Sequence, residues 1–129
     1  MSYDIKAIDA VVNIWTDEAN ALRPDSNREF FTGKLGVDQS TYTGISHEEM
    51  LRRMDAAGIE VSFLIANKSG EMGLPSSSFI PYELVAAAVK AHPDRFKGLA
   101  GVDPTQGMKG VKELERAVND LGFIGAHWY

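Results

Sequence analysis

Cysteine is absent from the 129 residues. That excludes disulfide bridges, thiolate-held zinc, iron–sulfur clusters and thiol nucleophiles together. A chain without thiols fits a reducing compartment, and a cytoplasmic protein is the expectation. Positive charge is also scarce: 13 Lys and Arg stand against 18 Asp and Glu, a formal net charge of −5. Such a surface repels phosphate backbones, so nucleic acid is not an expected partner. Apolar runs such as residues 61–66 and 85–89 fall far short of the roughly 20 residues that a spanning helix needs. Residues 1–9 lack a basic stretch followed by an apolar one, so neither a membrane partner nor a secretory leader is expected. Glycine-rich phosphate loops, a nucleophile elbow and a Ser-His-Asp arrangement are missing as well.

What remains is an ordinary globular composition, 44% hydrophobic and 24% charged. A chain of this length buries roughly two-thirds of its unfolded surface, enough for one core. Residues 5–14 are rich in Ile, Val and Ala, as in a strand covered on both faces. One parity carries Ile8, Ala10, Val12 and Ile14; the other carries Asp9, Val11, Asn13 and Trp15. Residues 16–45 show no sustained period and read as a long loop insertion, either a functional excursion or a plain surface one.

Ser46 with Glu49 forms a capping box. Met50, Leu51, Met54 and Ala57 then make a helical stripe, which Gly58 ends. Residues 60–66 read as the second strand and 67–78 as a loop. A helix with Pro81 in its first turn buries Tyr82, Val85, Ala86 and Val89 and stops at His92-Pro93. Residues 96–102 form the third strand. Residues 107–121 form the third helix, with Val111, Leu114, Ala117, Val118 and Leu121 inward, and residues 123–129 form the fourth strand. Strands alternating with helices imply a parallel α/β sheet joined by right-handed crossovers.

Three stretches resemble a known family. They are Ile8-Asp9-Ala10-Val11-Val12-Asn13-Ile14-Trp15, then Met50-Leu51-Arg52-Arg53-Met54-Asp55-Ala56-Ala57-Gly58-Ile59, and residues 89–128. The last contains His92-Pro93-Asp94-Arg95-Phe96, Gly101-Val102-Asp103-Pro104 and Gly122-Phe123-Ile124-Gly125-Ala126-His127. Together they are similar to the amidohydrolase-related (β/α)8 barrels of the aminocarboxymuconate-semialdehyde decarboxylase type. The resemblance implies that residues 1–129 form the N-terminal part of such a barrel. That is about half of a TIM barrel, with four strands and three helices. Two arrangements are then open: a missing C-terminal half, or a homo-oligomer that pairs through the open edge. The resemblance also implies a divalent metal such as zinc, held in the family by His-x-His on the first strand. Here those positions are Val11 and Asn13, so no residue is assigned as a metal ligand.

Four residues are candidates for the site. His127 is the catalytic candidate: on strand four it shares a parity with Gly125, which a barrel turns inward, near the mouth where barrel enzymes work. A neutral imidazole there can hold a carboxylate or move a proton. Asn13 and Trp15 close strand one and are candidates to bind a planar substrate, although Trp15 equally suits core packing. Asp103 ends strand three, where it either faces the ligand crevice or caps the next turn. Asn67 and Lys68 end strand two, as turn residues or as ligand contacts. His47 reads as a surface residue and His92 as a helix-end cation. Arg52, Arg53 and Arg95 read as surface ion pairs.

Three functions are therefore weighed. The first is a metal-dependent hydrolase or non-oxidative carboxy-lyase for a small carboxylated substrate, aromatic or otherwise. The second is a non-catalytic truncated or degenerate barrel half. The third is a small α/β ligand-binding domain.

Overall fold

A computed structural model describes residues 5–40, 42–71 and 73–128. Residues 1–4, and Tyr129 at the end of the expected fourth strand, lie outside the described residues. Four parallel strands form one sheet in the order β1 (Ala7–Asn13), β2 (Ile59–Ala66), β5 (Phe96–Gly101), β6 (Gly125–His127). Helices α3 (His47–Ala57), α4 (Tyr82–Ala91) and α5 (Met108–Asn119) make the three crossovers. A strand order that follows the chain order, with a helix at every crossing, is the winding of half a TIM barrel.

The loops carry more structure than their composition suggests. Residues 16–45 hold α1 (Asp17–Ala21), α2 (Asp25–Glu29) and a π-helical turn at Phe30–Lys34. Residues 67–78 lead into a two-residue antiparallel ladder of β3 (Lys68–Ser69) with β4 (Ser78–Phe79). A 3₁₀ turn, Pro104–Gln106, precedes α5.

The helices cover one face of the sheet. Leu64, Ala66, Phe96 and Ala100 from the strands pack with Met54, Val85, Ala88 and Ala117 from the helices, all buried. Gly98 lies in this layer because a Cβ there would sit 2.7 Å from the Phe123 ring. The helix stripes differ from the sequence expectation at their margins. Ala57, Val111 and Val118 are exposed, and Ala88 is buried in their stead. Where the sheet is only four strands wide, each helix has fewer neighbours, and its flanks stay in water.

β1 departs further. It is an edge strand with one partner, so Ile8 is 59% and Val11 61% exposed, and it is not covered on both faces. Its single parity is also broken. Asp9 pairs with Ser62 and Val12 with Leu64, so β1 takes three steps where β2 takes two. That bulge adds one residue and reverses the alternation. Asp9, Val12 and Ile14 therefore face the helices, while Ile8 and Asn13 face the other side.

Caps behave as their chemistry predicts, with two changes. Ser46 Oγ accepts from the Glu49 N–H at 3.2 Å, and Gly58 closes α3 at φ 71°. Glu49 does not complete the box: its carboxylate takes Arg52 and Arg53 at 2.7–2.8 Å, and those hydrogen bonds lower its pKa to about 2. Pro81 stands one residue earlier than expected, as the N-cap of α4.

Candidate functional site

Asn13 pairs with Ile65, Ile65 with Leu99, and Leu99 with Gly125. Partners across a parallel ladder share a face, and so do residues two apart on one strand. Asn13 and His127 thus lie on the same face of the sheet, the one turned away from the helices. They do not share a cleft.

Asn13 lines a cleft of about 350 Å³ at the C-terminal ends of β1 and β2, together with Trp15, Arg23, Phe31, Asn67, Ser69 and Ser78. One wall comes from the 16–45 segment, which closes on itself. The Ile45 N–H donates to the Trp15 carbonyl at 2.9 Å, and the Gly44 N–H donates to Asp17 Oδ1 at 3.1 Å. Thr16 caps α1 through its hydroxyl at 3.2 Å. Trp15 is half-buried and meets Tyr42 at 5.3 Å and Phe31 at 5.9 Å, both edge-on. Trp15 packs in an aromatic cluster and also borders the cleft.

Arg23 lies in the same wall. Its guanidinium sits 4.5 Å over the Trp15 ring and donates to the Ile14 carbonyl at 2.7 Å and to Asn20 Oδ1. It brings a positive charge to the cleft, and among the described residues that line the cleft none carries a carboxylate. Nothing in the local sequence marks Arg23, because its position depends on the segment folding back over β1.

The opposite wall is built by β2 and the β3–β4 ladder. The Asn67 carbonyl accepts from the Ile80 N–H at 2.8 Å, and Ser69 pairs with Ser78. Lys68, next along, turns the other way. Its ammonium is ion-paired with Glu113 at 2.5 Å and lies 4.4 Å over the Tyr82 ring. Burial opposes its charge, but hydrogen bonds with Glu113 and Tyr82 outweigh that and hold its pKa above the ordinary lysine value.

Asp103 borders a separate, smaller cleft of about 270 Å³, with Lys68, Thr105 and Trp128. Its Oδ1 accepts from the Thr105 N–H at 2.9 Å and from the Thr105 hydroxyl at 2.7 Å, capping the 3₁₀ turn. Those bonds, the hydroxyl's foremost, lower its pKa. The capping alternative is therefore the one that its geometry displays. His127 is half-buried on β6 opposite Gly101, lies outside the lining of both clefts, and accepts at its carbonyl from the Val102 N–H at 2.9 Å.

His92 stands at the C-terminal end of α4, where the sequence reading put it, whereas His47 differs from expectation. They form a ring cluster with Phe96, at 5.9 Å and 5.7 Å from that ring and 6.3 Å from each other. His47 is half-buried, not a plain surface residue, and its Nε2 is buried without a hydrogen-bond partner among the described residues.

The donor set does not fit the divalent metal that the family resemblance implies. Val11 has no donor atom and Asn13 offers a neutral amide, a poor ligand beside imidazole or carboxylate. Among the described residues, no three His, Cys, Asp or Glu gather closely enough to hold an ion. No described helix is long and apolar enough to cross a membrane.

No family model matches the chain. A gamma-resorcylate decarboxylase of Rhizobium radiobacter is 33% identical over 82 residues, covering 59% of this chain and 25% of that protein. The same-named enzyme of a Polaromonas species is 31% identical over 85 residues, covering 61% of this chain and 26% of that protein. The matched region thus spans about a quarter of these relatives' length. Among solved structures, a TIM-barrel protein of Bordetella bronchiseptica superposes with a TM-score of 0.63 at 23% identity, covering 96% of this chain and 43% of that one. A 2,6-dihydroxybenzoate decarboxylase complexed with 2,6-dihydroxybenzoate superposes with a TM-score of 0.59 at 22% identity, covering 94% and 38%. A 5-carboxyvanillate decarboxylase of Novosphingobium aromaticivorans, with manganese, gives a TM-score of 0.61 at 20% identity, covering 94% and 40%. In sequence and in fold, the chain is similar to the N-terminal half of the amidohydrolase-related (β/α)8 barrels of the aminocarboxymuconate-semialdehyde decarboxylase type, and the resemblance read from its residues stands.

Proposed function

We propose that the cleft at Asn13, Trp15 and Arg23 binds a small, planar, carboxylated compound. We further propose that the protein built on this half-barrel is a non-oxidative carboxy-lyase. The observation that carries the reading is the Arg23 guanidinium, held over Trp15 at the strand C-termini in the wall of the cleft. Arginine presents a planar fork of donors that matches a carboxylate. An aromatic floor suits a flat ring, and Asn13 supplies a neutral donor and acceptor at the end of β1.

In such a reaction the bond between the ring carbon and the carboxyl carbon breaks. Carbon dioxide leaves, and the electron pair left on the ring carbon takes up a proton. Arg23 binds and orients the carboxylate. His127 is the proposed proton carrier, because an imidazole both gives and takes protons and His127 lies on the same sheet face as Asn13. Asp103 is left with its cap. Residues 1–129 are, on this proposal, the N-terminal part of a barrel with an insertion at 16–45. Further strands, from a C-terminal half or a second copy, would pair with the open edges of β1 and β6. The cysteine-free composition supports a cytoplasmic site of action.

A binding half without catalysis is the second reading, favoured by Val11 and Asn13 standing at the His-x-His positions. Calorimetry with benzoate tests what the two readings share. Binding that Arg23→Gln weakens by about 30-fold supports the cleft; no binding to the unaltered chain sinks it. Carbon dioxide release by the assembled barrel separates the two.

A further inference from the structure

We propose that Asp103 and Trp128 form a second binding site, separate from the Arg23 cleft, for a small organic ammonium ion. The site does not rest on the carboxylate reading above and takes a ligand of the opposite charge.

Asp103 divides its two oxygens between two tasks. Oδ1 accepts both Thr105 bonds and caps the 3₁₀ turn. Oδ2 is buried and has no hydrogen-bond partner among the described residues, and the residue as a whole is only 6% exposed. The cap does not need Oδ2. The bond from the Thr105 hydroxyl is the main force holding the carboxyl below its ordinary pKa, so a charged group, not a neutral acid, borders this cleft of about 270 Å³. A buried carboxylate oxygen without a donor is costly, and a donor brought into the cleft relieves that cost.

The neighbouring charges cancel in pairs and leave Asp103 over. Lys68 pairs with Glu113 at 2.5 Å, and Arg116 pairs with Glu83 at 2.9 Å. Both cations also lie over the Tyr82 ring, at 4.4 Å and 5.8 Å. Among the described residues that line the cleft, Lys68 is the only cation, and its ammonium is turned to Glu113. Its pull on the Asp103 carboxyl is the weakest of those acting there. The site is therefore one positive charge short.

Trp128 supplies the other recognition element. The Val102 N–H donates to the His127 carbonyl at 2.9 Å, which holds the end of β6 beside the end of β5 and sets Trp128 against the cleft that Asp103 borders. Its ring is 70% exposed. An indole face attracts a cation more strongly than any other side-chain ring. An ammonium group satisfies both elements: its N–H donates to Oδ2, and its charge suits the carboxylate and the ring. A hydroxyl would satisfy Oδ2 but not the charge, and an anion would meet the Asp103 charge head-on. A metal ion needs several ligands, and the described residues gather no such group.

The test is titration of the 129-residue chain with benzylamine, protonated at neutral pH, and with benzyl alcohol, its uncharged counterpart. Calorimetry reads the affinity, and the indole N–H signals of Trp15 and Trp128 in NMR read the place. The expected result is that benzylamine binds and shifts the Trp128 signal, with benzyl alcohol about tenfold or more weaker. Asp103→Asn keeps an oxygen for the Thr105 cap and puts an NH₂ in place of Oδ2; it should weaken benzylamine by about tenfold or more. Trp128→Ala should weaken it by about two- to fivefold and leave thermal melting unchanged, since the ring faces water. If Asp103→Asn fails to fold, the alcohol comparison and Trp128→Ala decide. No binding of benzylamine overturns the site, as does equal binding of benzyl alcohol or full affinity in Trp128→Ala and a folded Asp103→Asn. A shift at Trp15 in place of Trp128 overturns it too. Titration with benzoate reads the Arg23 cleft on its own, so either site stands or falls without the other.

Discussion

Arg23 lies 4.5 Å over the ring of Trp15 and donates to the carbonyl of Ile14, the residue just before that ring. The chain leaves β1, travels through α1, and returns a cation to its own point of departure. Replacing Arg23 by Gln should therefore weaken benzoate binding by about 30-fold, the loss of one charged hydrogen-bonding group worth roughly 2 kcal/mol. Folding should weaken as well, by about 1–2 kcal/mol, because the Ile14 carbonyl loses its donor. Arg23→Lys should not restore affinity, since a point charge lacks the planar fork. Calorimetry and urea unfolding of the two variants check this, and full rescue by lysine would argue against a fork-shaped contact.

Gly98 on β5 packs against the Phe123 ring, in the segment before β6. A methyl group there meets the Phe123 ring at 2.7 Å, so Gly98→Ala should destabilise the fold by about 1–3 kcal/mol. Urea midpoints measure it; an unchanged midpoint would mean that the ring moves aside at no cost.

Arg95 ties the lower end of the sheet together. It donates to the Glu60 carbonyl at 2.8 Å, the Ile59 carbonyl at 3.1 Å and Asp55 at 2.7 Å. Arg95→Ala should cost about 2 kcal/mol, because carbonyls lose their donors. Asp55→Ala should cost under about 1 kcal/mol, because its pair faces water. Equal costs would show that the ion pair, not the carbonyl clasp, dominates the joint.

Burial, then the proximity of His92, lowers the pKa of His47 from 6.5, against a smaller opposing pull from Glu48. A group whose folded pKa is depressed binds its proton more readily when unfolded. Its contribution is complete above pH 6.5 and is lost as the pH falls from there through the folded value. Thermal midpoints should therefore drop between pH 7.5 and the mid-5 range, and the drop should shrink in His47→Gln. An identical slope in that variant would move the cause elsewhere.

The purified 129-residue chain should bind benzoates but release no carbon dioxide from them, because Asn13 and His127 share a face without sharing a cleft. A radiometric or coupled assay for carbon dioxide checks it; sustained turnover would require the proton to come from a group inside the cleft.

Much of the architecture was legible in the order of residues because its causes are local. Ser46 before a helical stripe, Gly58 after it, Pro93 after His92 and Gly122 before the last strand act over one or two turns, and each falls at or beside an observed boundary. Strand and helix in alternation require parallel crossovers, whatever the details of packing. The parity of His127 was also readable, since β6 has no bulge to reverse it.

Other features depend on which distant segments meet. The extra residue between Asp9 and Val12 appears only in the register against β2, and it decides which side chains of β1 face the helices. Exposure of Ile8 and Val11 follows from β1 being an edge, a fact of strand order and not of composition. Arg23 reads as one more loop arginine until residues 16–45 close back on Trp15. Asp103 reads as a cap or a crevice carboxylate until the fold bonds one of its oxygens and buries the other, without a partner among the described residues, beside a cleft. The four sheet strands, the three crossover helices and their parallel winding follow from local residues, because caps, stops and periodicity act within a few positions. The tertiary structure alone decided what lines the cleft, because that depends on contacts between residues far apart in the chain.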